Sequence, residues 1–147
     1  MAVEFHSEET EFILKQKLLH RSWVNRWIES QEGRCGKLIF IFTSNKQLKL
    51  INEKYLNHNY FTDVVTFDYT EGPLISGDVF ISIDQVRINA RTYDVEEREE
   101  IRRVMIHGVN HLLGYKDGTD EEKRIMRQME NDALHLWLKM LKNENPV

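Results

Sequence analysis

The chain has 147 residues, 41% hydrophobic and 30% charged, a balance that suits one globular domain over 1–147 with no disulfide support. Cys35 is its only cysteine, which excludes a secreted disulfide scaffold and points to a reducing compartment. The net charge of −4 gives no basic footprint for nucleic acid, so any reading of RNA binding must rest on local features, and nothing indicates DNA.

The N-terminal MAVEFHSEETEF is acidic and lacks both the basic leader and the apolar stretch of a signal peptide. No segment approaches the ~18–20 apolar residues of a membrane span, so a cytoplasmic location without membrane partners is expected. A short strand is expected at Val3–His6, then a helix over 10–30 with Phe12, Leu19, Trp23 and Trp27 along one stripe. Leu38–Phe42 is an unbroken apolar run of strand length, as in a strand covered on both faces. Ser44 can cap a following helix that reaches about Leu56. Alternation of Val65, Phe67 and Tyr69, and of Val79, Ile81 and Ile83, marks two strands, Asp63–Tyr69 and Asp78–Ile83. Gly72-Pro73 lies in the loop between them, so they are expected to be neighbours. Helices are expected over about 84–92 and 95–113, and a third from Thr119, which forms a capping-box pattern with Glu122. Its apolar stripe is Ile125, Met126, Met129, Ala133, Leu136, Trp137 and Met140. Residues 143–147 are expected to form a disordered tail. The sum is an α+β fold: one sheet of about four strands packed by helices.

The segment with chemistry in it runs from His107 to Asp117. Histidines at i and i+4 of a helix sit about 40° apart around its axis, so both rings can reach one ion. On the wheel of this helix, Ile101, Met105, Ile106, Val109, Leu112 and Leu113 form one broad face, and both histidines fall off its centre. Gly114 stands where a helix end favours positive φ, and the turn can bring Asp117 back toward the same ion. Two imidazoles and a carboxylate suit one zinc per chain with an open fourth position, in a zincin-like arrangement, although iron, nickel and manganese also accept such ligands. The spacing is similar to that of metzincin proteases, which end on histidine and carry glutamate directly after the first histidine as general base. Here that place holds Gly108, which cannot move a proton, so a peptidase lacks its catalytic residue.

The segment more closely resembles the signature of the YbeY family of rRNA maturation factors, matching at His107, Gly108, His111, Leu112, Gly114 and Tyr115. Two upstream blocks resemble the same family in order and spacing: Leu50 to Tyr55 followed by Thr62 to Phe67, and Gly77 to Ser82. The likeness spans roughly residues 36–135. It implies a metal-dependent endoribonuclease acting on single-stranded RNA, with roles in rRNA maturation and ribosome quality control and with ribosomal or assembly-factor partners. The sequence departs from the family pattern at Asp117, where the third histidine ligand is expected, and at Lys116, Asn110 and Leu56. Leu56 replaces an arginine suited to phosphate. His58 and Lys116 are the candidates to replace that cation, and Tyr115 offers a ring for base stacking. Arg87, Arg91, Arg102, Arg103, Lys123, Arg124 and Arg127 could follow an RNA backbone or form solvated helix faces. No protein general base stands out. The alternative is a ribosome- or assembly-factor-binding module with a structural metal.

Overall fold

The computed structural model describes residues 2–56 and 62–144. Its elements are β1 (Ala2–Ser7), α1 (Lys17–Ser30), β2 (Arg34–Thr43), α2 (Asn45–Leu56), β3 (Val64–Asp68), β4 (Leu74–Ser82), α3 (Ile83–Tyr93), α4 (Glu97–Leu112) and α5 (Asp120–Glu144). The strands form one sheet in the order β1-β2-β4-β3, which is the α+β arrangement expected. β1, β2 and β4 run parallel, and β3 closes the far edge antiparallel to β4.

Strand alternation sorts the side chains onto two faces. Leu38, Phe40, Phe42, Val79 and Ile81 point into the main core with Trp23, Trp27 and Ile28 of α1 and the apolar stripe of α4. On the opposite face Leu48 and Ile51 of α2 cover Val65, Phe67 and Phe80. α5 packs outside α4 and α1, where Met126, Met129, Ala133, Trp137 and Met140 are buried and Ile125 lies at the exposed margin.

Two close approaches fix α4 on the sheet. A Cβ at Gly108 would lie 2.7 Å from Val79 Cγ1, and one at Gly77 would lie 2.5 Å from the Phe67 carbonyl oxygen and 2.9 Å from Leu112 Cδ2. Glycine at both positions lets helix and strand meet more closely than any larger residue permits.

Some expected boundaries move. The first helix begins at Lys17 rather than residue 10, so Phe12 precedes it. Local polar bonds hold that stretch instead: Ser7 Oγ donates to the Phe12 carbonyl at 2.5 Å, and the Phe12 amide donates to Thr10 Oγ1 at 3.3 Å. Such side-chain turns compete with helix formation. β4 begins at Leu74, shortening the expected 70–77 loop to a tight turn through Gly72, whose φ is +57°. α5 reaches Glu144, two residues into the expected tail; 145–147 lie outside the described residues. Among the described residues no helix is long and apolar enough to cross a membrane.

Candidate metal centre

The end of α4 builds the site. Gly114 adopts φ +101°, its amide donates to the His111 carbonyl at 3.0 Å, and the Tyr115 amide donates to the Asn110 carbonyl at 3.0 Å. This paired closure ends the helix and turns the chain back. Five residues on, Thr119 and Glu122 complete the capping box that starts α5: the Thr119 amide donates to Glu122 Oε1 at 2.9 Å, and the Glu122 amide donates to Thr119 Oγ1 at 3.1 Å. The short loop between these two caps carries Asp117.

His107, His111 and Asp117 offer ligand atoms within 4.8 Å of one another. The pairwise distances are 3.0 Å between the two Nε2 atoms, 3.1 Å from His107 Nε2 to Asp117 Oδ2, and 3.5 Å from His111 Nε2 to the same oxygen. Ligands about 2.0–2.1 Å from a tetrahedral zinc stand roughly 3.3 Å apart, so the triangle has the size such an ion requires.

The tautomers follow from the bonds behind the rings. His111 Nδ1 lies 3.0 Å from the Tyr115 carbonyl oxygen, which can only accept, so Nδ1 carries the proton. His107 Nδ1 donates to Glu130 Oε2 at 2.7 Å. With Nδ1 engaged behind each ring, the two Nε2 atoms are the ones that face each other and the Asp117 carboxylate oxygen. Two imidazole nitrogens and a carboxylate oxygen converging on one point form a donor set that fits a metal ion.

Behind His107 stands a buried charge network. Arg103 Nη1 donates to Glu130 Oε1 at 3.0 Å, and the same guanidinium pairs with Glu100, with Nε donating to Oε1 at 2.9 Å. Burial alone would raise the Glu130 carboxyl, but the hydrogen bond from His107 and the Arg103 charge hold it below the usual carboxylate range. Burial pulls the His107 imidazole down, and the bond and charge of Glu130, with Asp117 and Asp63, more than offset it, so it lies above the ordinary histidine value. Asp63 is itself held by Asn89 Nδ2 at 3.1 Å.

Arg103 is thus an internal strut, only 15% exposed at its side chain, rather than an RNA-facing or solvated cation. Arg102 lies against the Trp137 ring, 4.3 Å from its centroid. Arg87 and Arg124 pair with Glu97 and Glu121. A cleft of about 360 Å³ beside His107 and Asp117 is lined by Lys123, Arg124 and Arg127. Tyr115 and Lys116 are exposed next to the metal-ligand triangle, and His58 lies outside the described residues. Asn110 is fully buried and accepts from Trp27 Nε1 at 2.8 Å, which gives this departure from the family pattern a packing role.

Sequence reasoning missed Glu130. It occupies the core spacing of α5, between Met126 and Ala133, and a lone acid in an apolar stripe was the signal. Glu100, Arg103, His107 and His111 likewise share one stripe of α4 at spacings of three and four.

Comparison with known proteins agrees in extent. A family model described as Endoribonuclease YbeY matches residues 3–137. A relative of that description from Parabacteroides distasonis is 40% identical over 134 residues, covering 91% of this chain and 94% of its own. Another, from Flavobacterium psychrophilum, is 42% identical over 129 residues, covering 88% of this chain and 92% of its own. The solution structure of a Thermotoga maritima protein superimposes with a TM-score of 0.67 at 20% identity, covering 97% of this chain and 93% of that one, and shows the shared fold.

Proposed function

The chain belongs to the YbeY family of endoribonucleases, and from that premise we propose that it is a metal-dependent endoribonuclease that cuts single-stranded RNA in rRNA maturation and ribosome quality control. The observation that carries the reading is the convergence of His107 Nε2, His111 Nε2 and Asp117 Oδ2. Zinc, one ion per chain, is the metal this donor set and its spacing favour. When bound, the ion supplies Lewis acidity for a phosphoryl oxygen and for the attacking water.

The chain's own residues set the conditions for that chemistry. Glu130 and the Tyr115 carbonyl engage Nδ1 of the two imidazoles, which orients each ring with Nε2 as the atom that would bind the ion. Asp117 contributes a negative charge that a third histidine would not, which favours the cation while tempering its acidity. Lys123 and Arg127, on the wall of the adjoining cleft, receive the phosphate backbone, with Lys116 close by. The exposed Tyr115 ring offers a surface on which a base stacks. Ribosomal or assembly-factor partners bring the enzyme to its RNA in a cytoplasmic setting. Family membership favours this enzyme over a binding module with a structural metal.

The test is cleavage of a labelled single-stranded RNA by metal-quantified protein. Cleavage should vanish with chelator and with His111→Ala and return with zinc in the unmodified chain. Cleavage that persists through both treatments would sink the proposal.

A further inference from the structure

Toward the N-terminal end of α4, away from the His107 site, a cavity of about 540 Å³ opens between the 12–16 segment and the first turns of that helix. Phe12, Leu14 and Ile101 give it apolar walls, and its polar lining combines Lys15, His20, Arg98 and Arg102 with Gln16, Glu96 and Glu97. A neighbouring cleft of about 450 Å³ shares Arg102 and reaches Trp137, so Arg102 stands between the two. This volume is that of an ordinary small-molecule site.

Two buried polar atoms here have no partner among the described residues: His20 Nε2 and Arg102 Nε. His20 is only 2% exposed and packs against Trp137 at 4.4 Å between ring centroids. Its Nδ1 lies 3.0 Å from the Gln16 carbonyl oxygen, which can only accept, so the proton sits on Nδ1. Burial lowers the ring's pKa to about 4, assisted by the Arg102 charge and against the pull of the Gln16 bond, so Nε2 is a bare acceptor. Arg102 lies over Trp137 with no ion pair of its own among the described residues, whereas Arg98 is paired with Glu96 at 2.8 Å and Glu97 with Arg87 at 3.1 Å.

Apart from those ion-paired groups, the cavity and its neighbouring cleft present one guanidinium, one lysine ammonium, the Glu99 carboxylate and one imidazole lone pair beside an apolar wall, a net charge of one positive unit. Glu96, Glu97 and Glu99 nearby make the surroundings unsuited to a polyphosphate backbone. They suit a single negative charge. We propose that this cavity binds a small organic monoanion whose carboxylate pairs with Arg102, whose neighbouring N–H donates to His20 Nε2, and whose apolar group packs on Phe12, Leu14 and Ile101. An N-acyl apolar amino acid has that arrangement, and so does the last residue of a peptide. The site is independent of RNA cleavage.

The experiment uses the zinc-loaded full chain and follows the indole N–H signals of its tryptophans. Trp137 and Trp23 report on the cavity, and Trp27, bonded to Asn110, serves as the remote reference. N-acetyl-L-leucine should shift the Trp137 and Trp23 signals and leave Trp27 in place. N-acetyl-L-leucinamide, which lacks the charge, should bind at least about tenfold more weakly, and 4-methylpentanoate, which lacks the N–H donor, should also be weaker. Arg102→Gln should bind acid and amide alike while its Trp27 signal shows the fold intact. A tripeptide ending in leucine that binds more tightly than N-acetyl-L-leucine identifies a protein tail as the occupant; equal affinity identifies a free small acid. Because the ligand series is read on the unmodified chain, it stands even if the variant misfolds. Equal binding of acid and amide by the unmodified chain, no Trp137 shift at millimolar acid, or a Trp137 shift with single-stranded RNA and none with the acid would overturn the proposal.

Discussion

A metal centre on a helix depends on the atoms behind its ligands, and here the decisive one is Glu130. Its carboxylate, 23 residues beyond His107 and 27 beyond Arg103, joins the imidazole of the one to the guanidinium of the other. Glu130→Gln keeps the shape but removes the charge. It should weaken metal affinity by roughly 10–100-fold, measured by competition with a chromogenic chelator, because partners behind metal-bound histidines typically contribute that much. An affinity equal to that of the unmodified chain would remove Glu130 from the account. The ligand motif itself was legible in the sequence because it is local: a helical spacing, a glycine at the helix end and an acid within the turn. Glu130 was not, because its partner lies 23 residues away and no short-range pattern links them. Arg103 read as one more charge on a polar face for the same reason.

At the scale of elements, α4 both crosses the sheet and carries the site, so its seating on β3 and β4 controls where the histidines point. Gly108→Ala would place a methyl group 2.7 Å from Val79 Cγ1, and that crowding should cost about 1–3 kcal/mol in thermal or denaturant unfolding. Unchanged stability would mean that the helix shifts freely on the sheet. The same contact bars the glutamate that metzincin proteases carry at this position, so exclusion of a peptidase rests on packing as well as on chemistry. The adjacency of β3 and β4 followed from alternation and from Gly72-Pro73, whereas the order β1-β2-β4-β3 did not, because the parallel pairings of β2 with β1 and with β4 join segments far apart in the chain. The start of α1 did not, because Ser7 and Thr10 bind backbone groups locally and outweigh a periodicity that included Phe12. Three-residue helical spacing cannot register such bonds.

For the whole molecule, stability and function respond to protons and metal at separate places. His20 is neutral in the fold with its pKa lowered to about 4, against about 6.5 for an exposed histidine. The unfolded chain therefore takes up this proton first as pH falls. The stability tied to neutral His20 is fully present above about pH 6.5 and is lost progressively down through about pH 4, on the order of 3 kcal/mol in all. His20→Phe removes this one contribution, so the stability advantage of the unmodified chain over the variant should shrink between pH 7 and pH 4.5 in denaturant titrations. A constant difference would show that His20 titrates normally.

The central claim, a single metal held by His107, His111 and Asp117 on which RNA cleavage depends, is tested most directly by adding zinc stepwise to metal-free protein while measuring cleavage of a single-stranded RNA in the same samples. The rate should rise in proportion to zinc and level off at one ion per chain, with no such rise for His107→Ala. A rate already maximal without metal, or one that ignores the first equivalent, would contradict the account.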